Sequence, residues 1–303
     1  MSLVVVAKAA FVVVVSGVIG TLVMWSKDGE SHRHNDATAV TDGYHGPIDA
    51  TMDWCESNYV VTPYVAEFFN TVSSLPMIVL GLVGVALERR YATGETRIAL
   101  AFLGLATVGV GSALFHATLR FHYQLMDELP MLYVNQVFIY CQQRYDKPSP
   151  ARGAWDWLAI GLVALSAAQT FCYVYLGLYT VFIVSYAAGV LCQWYFFLFQ
   201  RGGFAALSPE MRRFFILLVV CYKGGFVLWA LEHVFCGSVR PFQFHAWWHL
   251  GAGYGTYCWC VFLVMVRCEY LLKRRAKKKE DGADATVTLE CFGVHYALMS
   301  DKV

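Results

Sequence analysis

What most constrains this chain is a series of apolar runs of near-bilayer length, separated by short polar loops. A membrane-spanning helix needs about 20 mainly apolar residues. Such runs cover Leu3–Trp25, Val65–Leu87, Ile98–Leu119, Asp127–Cys141, Trp157–Tyr175, Leu178–Phe199, Phe214–Leu231 and Phe244–Val266. The prediction is an all-α membrane protein: a seven-transmembrane helix bundle with an additional N-terminal hydrophobic segment, either a retained anchor or a signal peptide. The composition agrees, because 58% hydrophobic and 15% charged residues depart from the soluble balance, in which about 25% are charged. The 23 basic and 22 acidic residues nearly cancel, which gives no reason to expect nucleic acid as a partner. Nothing in the pattern calls for an obligate protein partner.

Lysine and arginine positions set the orientation. Arg89, Arg90 and Arg97, then Arg144, Lys147 and Arg152, then Arg201, Arg212 and Arg213, fall on one side together with the tail from Arg267. Only Lys27, Arg33, Arg120 and Arg240 fall opposite, while Lys8 and Lys223 lie inside apolar runs. The positive-inside rule then puts the tail in the cytosol and the residues before the first of the seven spans in the lumen. The expected divisions are residues 1–25, the hydrophobic anchor or signal; 26–62, a lumenal connector; 63–267, the seven-span domain; and 268–303, a basic tail expected to be disordered after Leu272.

Ionisable groups inside a span are costly and by default mark a functional site. Gly111-Ser-Ala-Leu-Phe-His116 places Ser112 and His116 four residues apart on one helical face. Phe244-His-Ala-Trp-Trp-His249 does the same for His245 and His249. In this topology the end of one span and the starts of two others meet near the lumenal face. Three histidines from two helices there match an open, catalytic zinc site with a position left for water. Asp127 and Glu128 are read as the opening turn of their helix, where a carboxylate is favourable on dipole grounds alone.

A second polar group, Asp53, Glu56, Asn58 and Glu67, precedes the first of the seven spans. Its hard oxygen ligands suit calcium, while helix capping and loop solvation explain the same residues without a metal. Ten cysteines are scattered with no Cys-x-x-Cys pair, so a thiolate metal site is not expected. Cys55 and Cys236 alone fall on the oxidising, lumenal side, which predicts a disulfide between them, with two free thiols as the alternative.

From about Gly43 to Arg267 the chain resembles the alkaline ceramidases. The resemblance rests on Met52-Asp-Trp-Cys-Glu-Ser-Asn-Tyr59, Ala66-Glu-Phe-Phe-Asn-Thr-Val72, the Ser112-x3-His116 pair, Gln124-Leu-Met-Asp-Glu-Leu-Pro-Met131 and Phe244-His-Ala-Trp-Trp-His249. It implies a ceramide substrate and a catalytic zinc on His116, His245 and His249. It also implies a structural or regulatory calcium on Asp53, the Trp54 carbonyl, Glu56, Asn58 and Glu67. Asp127 would then act as general base and acid, Ser112 would stabilise the oxyanion, and Glu128 would be structural. The family expectation for location is the endoplasmic reticulum or Golgi. A heptahelical lipid receptor or sensor with a structural zinc is the rival reading.

Overall fold

The computed structural model describes residues 42–148, 156–197, 203–278, 288–291 and 294–297. The Leu3–Trp25 run and the connector up to residue 41 lie outside the described residues. Seven long helices follow in order: α1 (Phe68–Tyr91), α2 (Thr96–Thr118), α3 (Phe121–Gln143), α4 (Trp157–Thr170, continued by a π-helical turn Phe171–Tyr175), α5 (Tyr179–Tyr195), α6 (Pro209–Val239) and α7 (Phe244–Lys278). Five of them are long and apolar enough to cross a membrane, namely α1, α2, α4 with its π-turn, α6 and α7. Large apolar side chains such as Val163 and Val220 are more than half exposed, as expected of a surface that faces lipid rather than water.

Sequence periodicity misplaces several ends. Asp127 does not open a helix: α3 begins six residues earlier, at Phe121. The polar residues that hide this start are satisfied by the preceding segment, for Asp49 Oδ1 accepts the Phe121 N–H at 2.6 Å and Gln124 exchanges hydrogen bonds with Thr51. Helix α6 also outruns its apolar core at both ends. Pro209 sits in its first turn, Ser208 accepts the Met211 N–H, and the helix passes through a kink at Phe235 to Val239. Cys236, which falls beyond the end of the apolar run at Leu231, therefore lies in a helix. Helix α7 continues past Leu272 to Lys278, and Thr288–Cys291 pairs antiparallel with Val294–Ala297. Basic residues at a helix C-terminus favour such an extension, because they oppose the negative end of the dipole.

The core runs between α2, α3, α6 and α7 through Phe102, Leu105, Phe138, Phe215 and Phe262. At one end the loop before α1 folds across the helix ends. The N–H groups of Ala50, Ala66 and Glu67 donate to the carbonyls of Leu119, Ala117 and His116, which are among the acceptors that a helix C-terminus leaves unpaired. Leu119 (φ 49°) and Gln243 (φ 53°) take the left-handed conformation without being glycine. The first turns the chain from α2 into α3 just after His116, and the second turns it into α7 just before His245. Strain of this kind gathers where side-chain placement matters.

Candidate metal centre and catalytic site

His116 closes the last turn of α2, and His245 and His249 lie in the first two turns of α7. All three are buried, with ligand atoms within 4.8 Å of one another. Ring centroids are 4.6 to 5.2 Å apart. In His116 and His249 the outer nitrogen is held by the protein. His116 Nδ1 is hydrogen-bonded to the Glu67 carboxylate. His249 Nδ1 lies 3.0 Å from the Asn70 carbonyl and 3.0 Å from Ser73 Oγ. A carbonyl or a carboxylate can only accept, so these contacts assign the proton to Nδ1 and leave the Nε2 lone pair for a ligand. His116 Nε2 and His245 Nδ1 are buried with no hydrogen-bond partner among the described residues. Histidines oriented by a carboxylate and a carbonyl, with inward lone pairs unpaired, fit a metal ion.

The loop before α1 supplies the next layer. Trp54 stacks on His245 with ring centroids 4.1 Å apart, and its backbone N–H donates to Glu67 Oε1 at 2.9 Å. Cys55 and Cys236 are joined in a disulfide with a Cα separation of 5.6 Å, which locks this loop to the end of α6. Asn58 donates to both Asp53 oxygens at 3.1 and 3.3 Å, while Glu56 accepts the Phe69 and Asn70 N–H groups and so caps α1. Burial pushes the Glu56 carboxyl up to about 7; the two backbone N–H groups oppose the rise and the Glu67 charge adds to it. Asn58 Oδ1 is buried without a partner among the described residues, an oxygen donor of the kind a hard cation takes.

Ser112 and Asp127 share the wall of one cavity with Trp54, His245 and His249. Its volume is about 420 Å³, and beyond this polar end it is lined by side chains such as Met131, Phe182, Leu218 and Trp259. Gly111 sets the approach: a Cβ there would strike the Met126 carbonyl and come within 2.8 Å of the Asp127 nitrogen, so α2 and α3 touch backbone to backbone beside Ser112. Ser112 Oγ lies 3.0 Å from Ser74 Oγ, which itself donates to the Asn70 carbonyl. Glu128 also borders the cavity, but its carboxylate is engaged, accepting from Gln124 at 3.1 Å and from the Tyr173 hydroxyl.

Two residues in this end escape the sequence reading. Glu67 is the partner of His116, a role its place among the proposed calcium ligands conceals. Glu232, buried on α6, accepts the His245 backbone N–H at 2.9 Å, and its other oxygen has no partner among the described residues. A lone carboxylate directly after the Phe214–Leu231 apolar run was the available signal.

A family model described as Ceramidase matches residues 46–282. The chain is 35% identical over 246 residues to alkaline ceramidase 3 of Mus musculus, which covers 77% of this chain and 89% of that protein. It is 29% identical over 237 residues to an alkaline ceramidase of Arabidopsis thaliana, covering 75% and 87%. It is 28% identical over 264 residues to one of Saccharomyces cerevisiae, covering 78% and 82%.

Proposed function

The chain belongs to the ceramidase family, and from that premise we propose that it is a multi-pass membrane amidohydrolase that cleaves the amide of a ceramide into a sphingoid base and a fatty acid. The observation that carries this reading is the triad of buried histidines, two of which, His245 and His249, line a largely apolar cavity with a carboxylate and a hydroxyl in the same wall. A ceramide has the matching shape, with an amide between polar hydroxyls and long hydrocarbon chains. All seven helices are taken to cross the bilayer, with the histidine end lumenal and the tail cytosolic by the distribution of basic residues. The endoplasmic reticulum or Golgi is the proposed location.

Zinc held by His116, His245 and His249 would supply Lewis-acid activation of a water and of the amide carbonyl. Asp127 takes the proton of the attacking water and returns it to the nitrogen of the departing sphingoid base. Ser112 turns its hydroxyl from Ser74 towards the developing oxyanion. Glu67 and the Asn70 carbonyl keep two imidazoles in the tautomer that faces inward. The apolar wall holds the chains, excludes bulk water and fixes the amide at the polar end.

The oxygens of Asp53, Glu56, Asn58, Glu67 and the Trp54 carbonyl suit calcium. Such an ion would brace the loop that carries Trp54 and Cys55. Glu56 also caps α1 and Glu67 also holds His116, so Asp53→Ala with Asn58→Ala is the cleaner test. Chelation should lower the melting temperature of the wild type and leave the double variant unmoved; an equal effect on both removes calcium from this loop.

A receptor with a structural zinc needs a closed set of four protein ligands. The metal-capable group among the described residues is three histidines, which favours an open, catalytic site. Purified protein in detergent should release free sphingoid base from a ceramide. Its failure to do so with metal bound would reject the enzyme reading.

A further inference from the structure

Lys223 lies near the middle of α6, 14 residues from one end and 16 from the other, or about 21 and 24 Å along the axis. Its side chain cannot reach either membrane surface from there, so snorkelling is excluded. It lines the same cavity as His245 and His249. The ammonium lies 5.6 Å from the Trp194 ring centroid and 5.7 Å from that of Tyr222. Among the described residues no carboxylate pairs with it. Two aromatic faces are partial compensation for a cation, and they leave its hydrogen-bonding capacity unused.

The level of Lys223 follows from how α6 meets α7. A Cβ on Gly225 would touch Gly251, and one on Gly255 would meet the Tyr222 backbone at 3.0 Å. Lys223 is therefore opposite the stretch one turn beyond His249, about 6 Å further into the cavity. Other polar groups gather there. The Tyr186 and Tyr222 hydroxyls bond each other, and Gln193 donates to Asn135 at 2.6 Å. A cavity built only for hydrocarbon has no use for the Lys223 ammonium, because a charge left against methylenes without hydrogen-bond partners is costly.

We propose that Lys223 forms a polar subsite that selects a ceramide carrying an extra hydroxyl on a chain within a few carbons of the amide. The ammonium donates to that hydroxyl oxygen, which sits between the Trp194 and Tyr222 faces. The inference rests on the ceramidase reading of the same cavity. The hydroxyl could be carried by the acyl chain or by the sphingoid base, and the test separates the two. A plain chain fits by shape but leaves the ammonium unmatched, and hydrogen bonds to a charged group discriminate by about tenfold or more.

The experiment measures kcat/KM on three ceramides differing only in one hydroxyl: none, one on the acyl chain beside the amide, and one on the base. Wild-type protein should favour one hydroxylated substrate by about tenfold, and which one identifies the chain in the subsite. Lys223→Met, similar in length but apolar, should bring the ratio to about one, with the loss in KM. Lys223→Gln keeps a donor and should keep part of the preference. Equal rates in the wild type, or an unchanged ratio in a folded Lys223→Met, overturn the subsite. If no ceramide is hydrolysed, the enzyme reading has failed separately. Displacement of a fluorescent fatty-acid probe by hydroxylated and plain fatty acids and bases then decides this proposal, and equal displacement by each pair overturns it.

Discussion

The two ends of the bundle are both rich in buried charge, and they spend it differently. At the end opposite the histidines, Arg97 donates to Glu95 at 2.7 Å and to the Arg144 and Lys147 carbonyls; Arg267 donates to Glu95 at 2.8 Å and to the Tyr145 carbonyl. Arg144 grips Asp156 through two nitrogens at 2.7 and 3.1 Å. Each of these three guanidiniums closes on protein acceptors, while Arg212 Nε and one Glu88 oxygen at the same end have no partner among the described residues. At the histidine end the outer nitrogens of His116 and His249 are paired, but His116 Nε2, His245 Nδ1, Asn58 Oδ1 and one Glu232 oxygen are not, among the described residues. Charge that closes on itself joins helices, whereas charge that stops short leaves coordination and proton transfer to something else.

The strongest challenge to this contrast is removal of the histidines. A His245→Ala, His249→Ala double variant should lose bound zinc by elemental analysis and lose activity by about a thousandfold or more, since metal activation of water is gone. Unchanged metal content would place the ion elsewhere. Next in size is Asp127→Asn, which should keep its metal and lose hydrolysis by about 10²–10⁴-fold, because an amide cannot carry the proton. Full activity would remove Asp127 from the chemistry.

Glu232 tests whether an unpaired atom at this end matters beyond the ligands. Glu232→Gln retains an acceptor for the His245 N–H, whereas Glu232→Ala does not. Metal affinity should fall by about 10–100-fold in the alanine variant, as for other supports of metal-bound histidine, and by much less in the glutamine one. Equal loss in both would mean that the negative charge, not the hydrogen bond to α7, is what counts.

These residues also mark where sequence reading reaches its limit. The apolar runs reveal the helices because hydrocarbon demands length, and the i, i+4 histidines reveal a shared face because helix geometry is regular. The start of α3 is hidden because His122, Gln124 and Asp127 look like a loop until Asp49 and Thr51 are seen to satisfy the backbone and the glutamine. Glu67 and Glu232 meet their histidines across 49 and 13 residues, contacts set by how the loop crosses the helix ends. No local spacing encodes them. Lys223 is conspicuous in the sequence as a lone cation in a span, but its two aromatic neighbours come from α5 and α6 together.

The smallest effect is expected at the closed end. Asp156 caps α4 through the Leu158 N–H at 3.0 Å while accepting from Tyr140 at 2.9 Å and from Arg144. The Arg144 guanidinium, more than any other neighbour, holds its carboxyl down to about 2. A depressed carboxyl stabilises the fold above its unfolded value of about 3.9, and that contribution fades as pH falls through the folded value. Asp156→Ala should therefore cost about 1 kcal/mol near neutral pH, as a lost cap does, and the gap to wild type should narrow between about pH 4 and pH 2. Thermal melting across that range reads both. Activity per folded molecule should not change, because this network holds α3 to α4 and touches nothing in the cavity wall. A variant that melts normally yet loses turnover would show that the closed end also governs the chemistry, and would end the division drawn between the two.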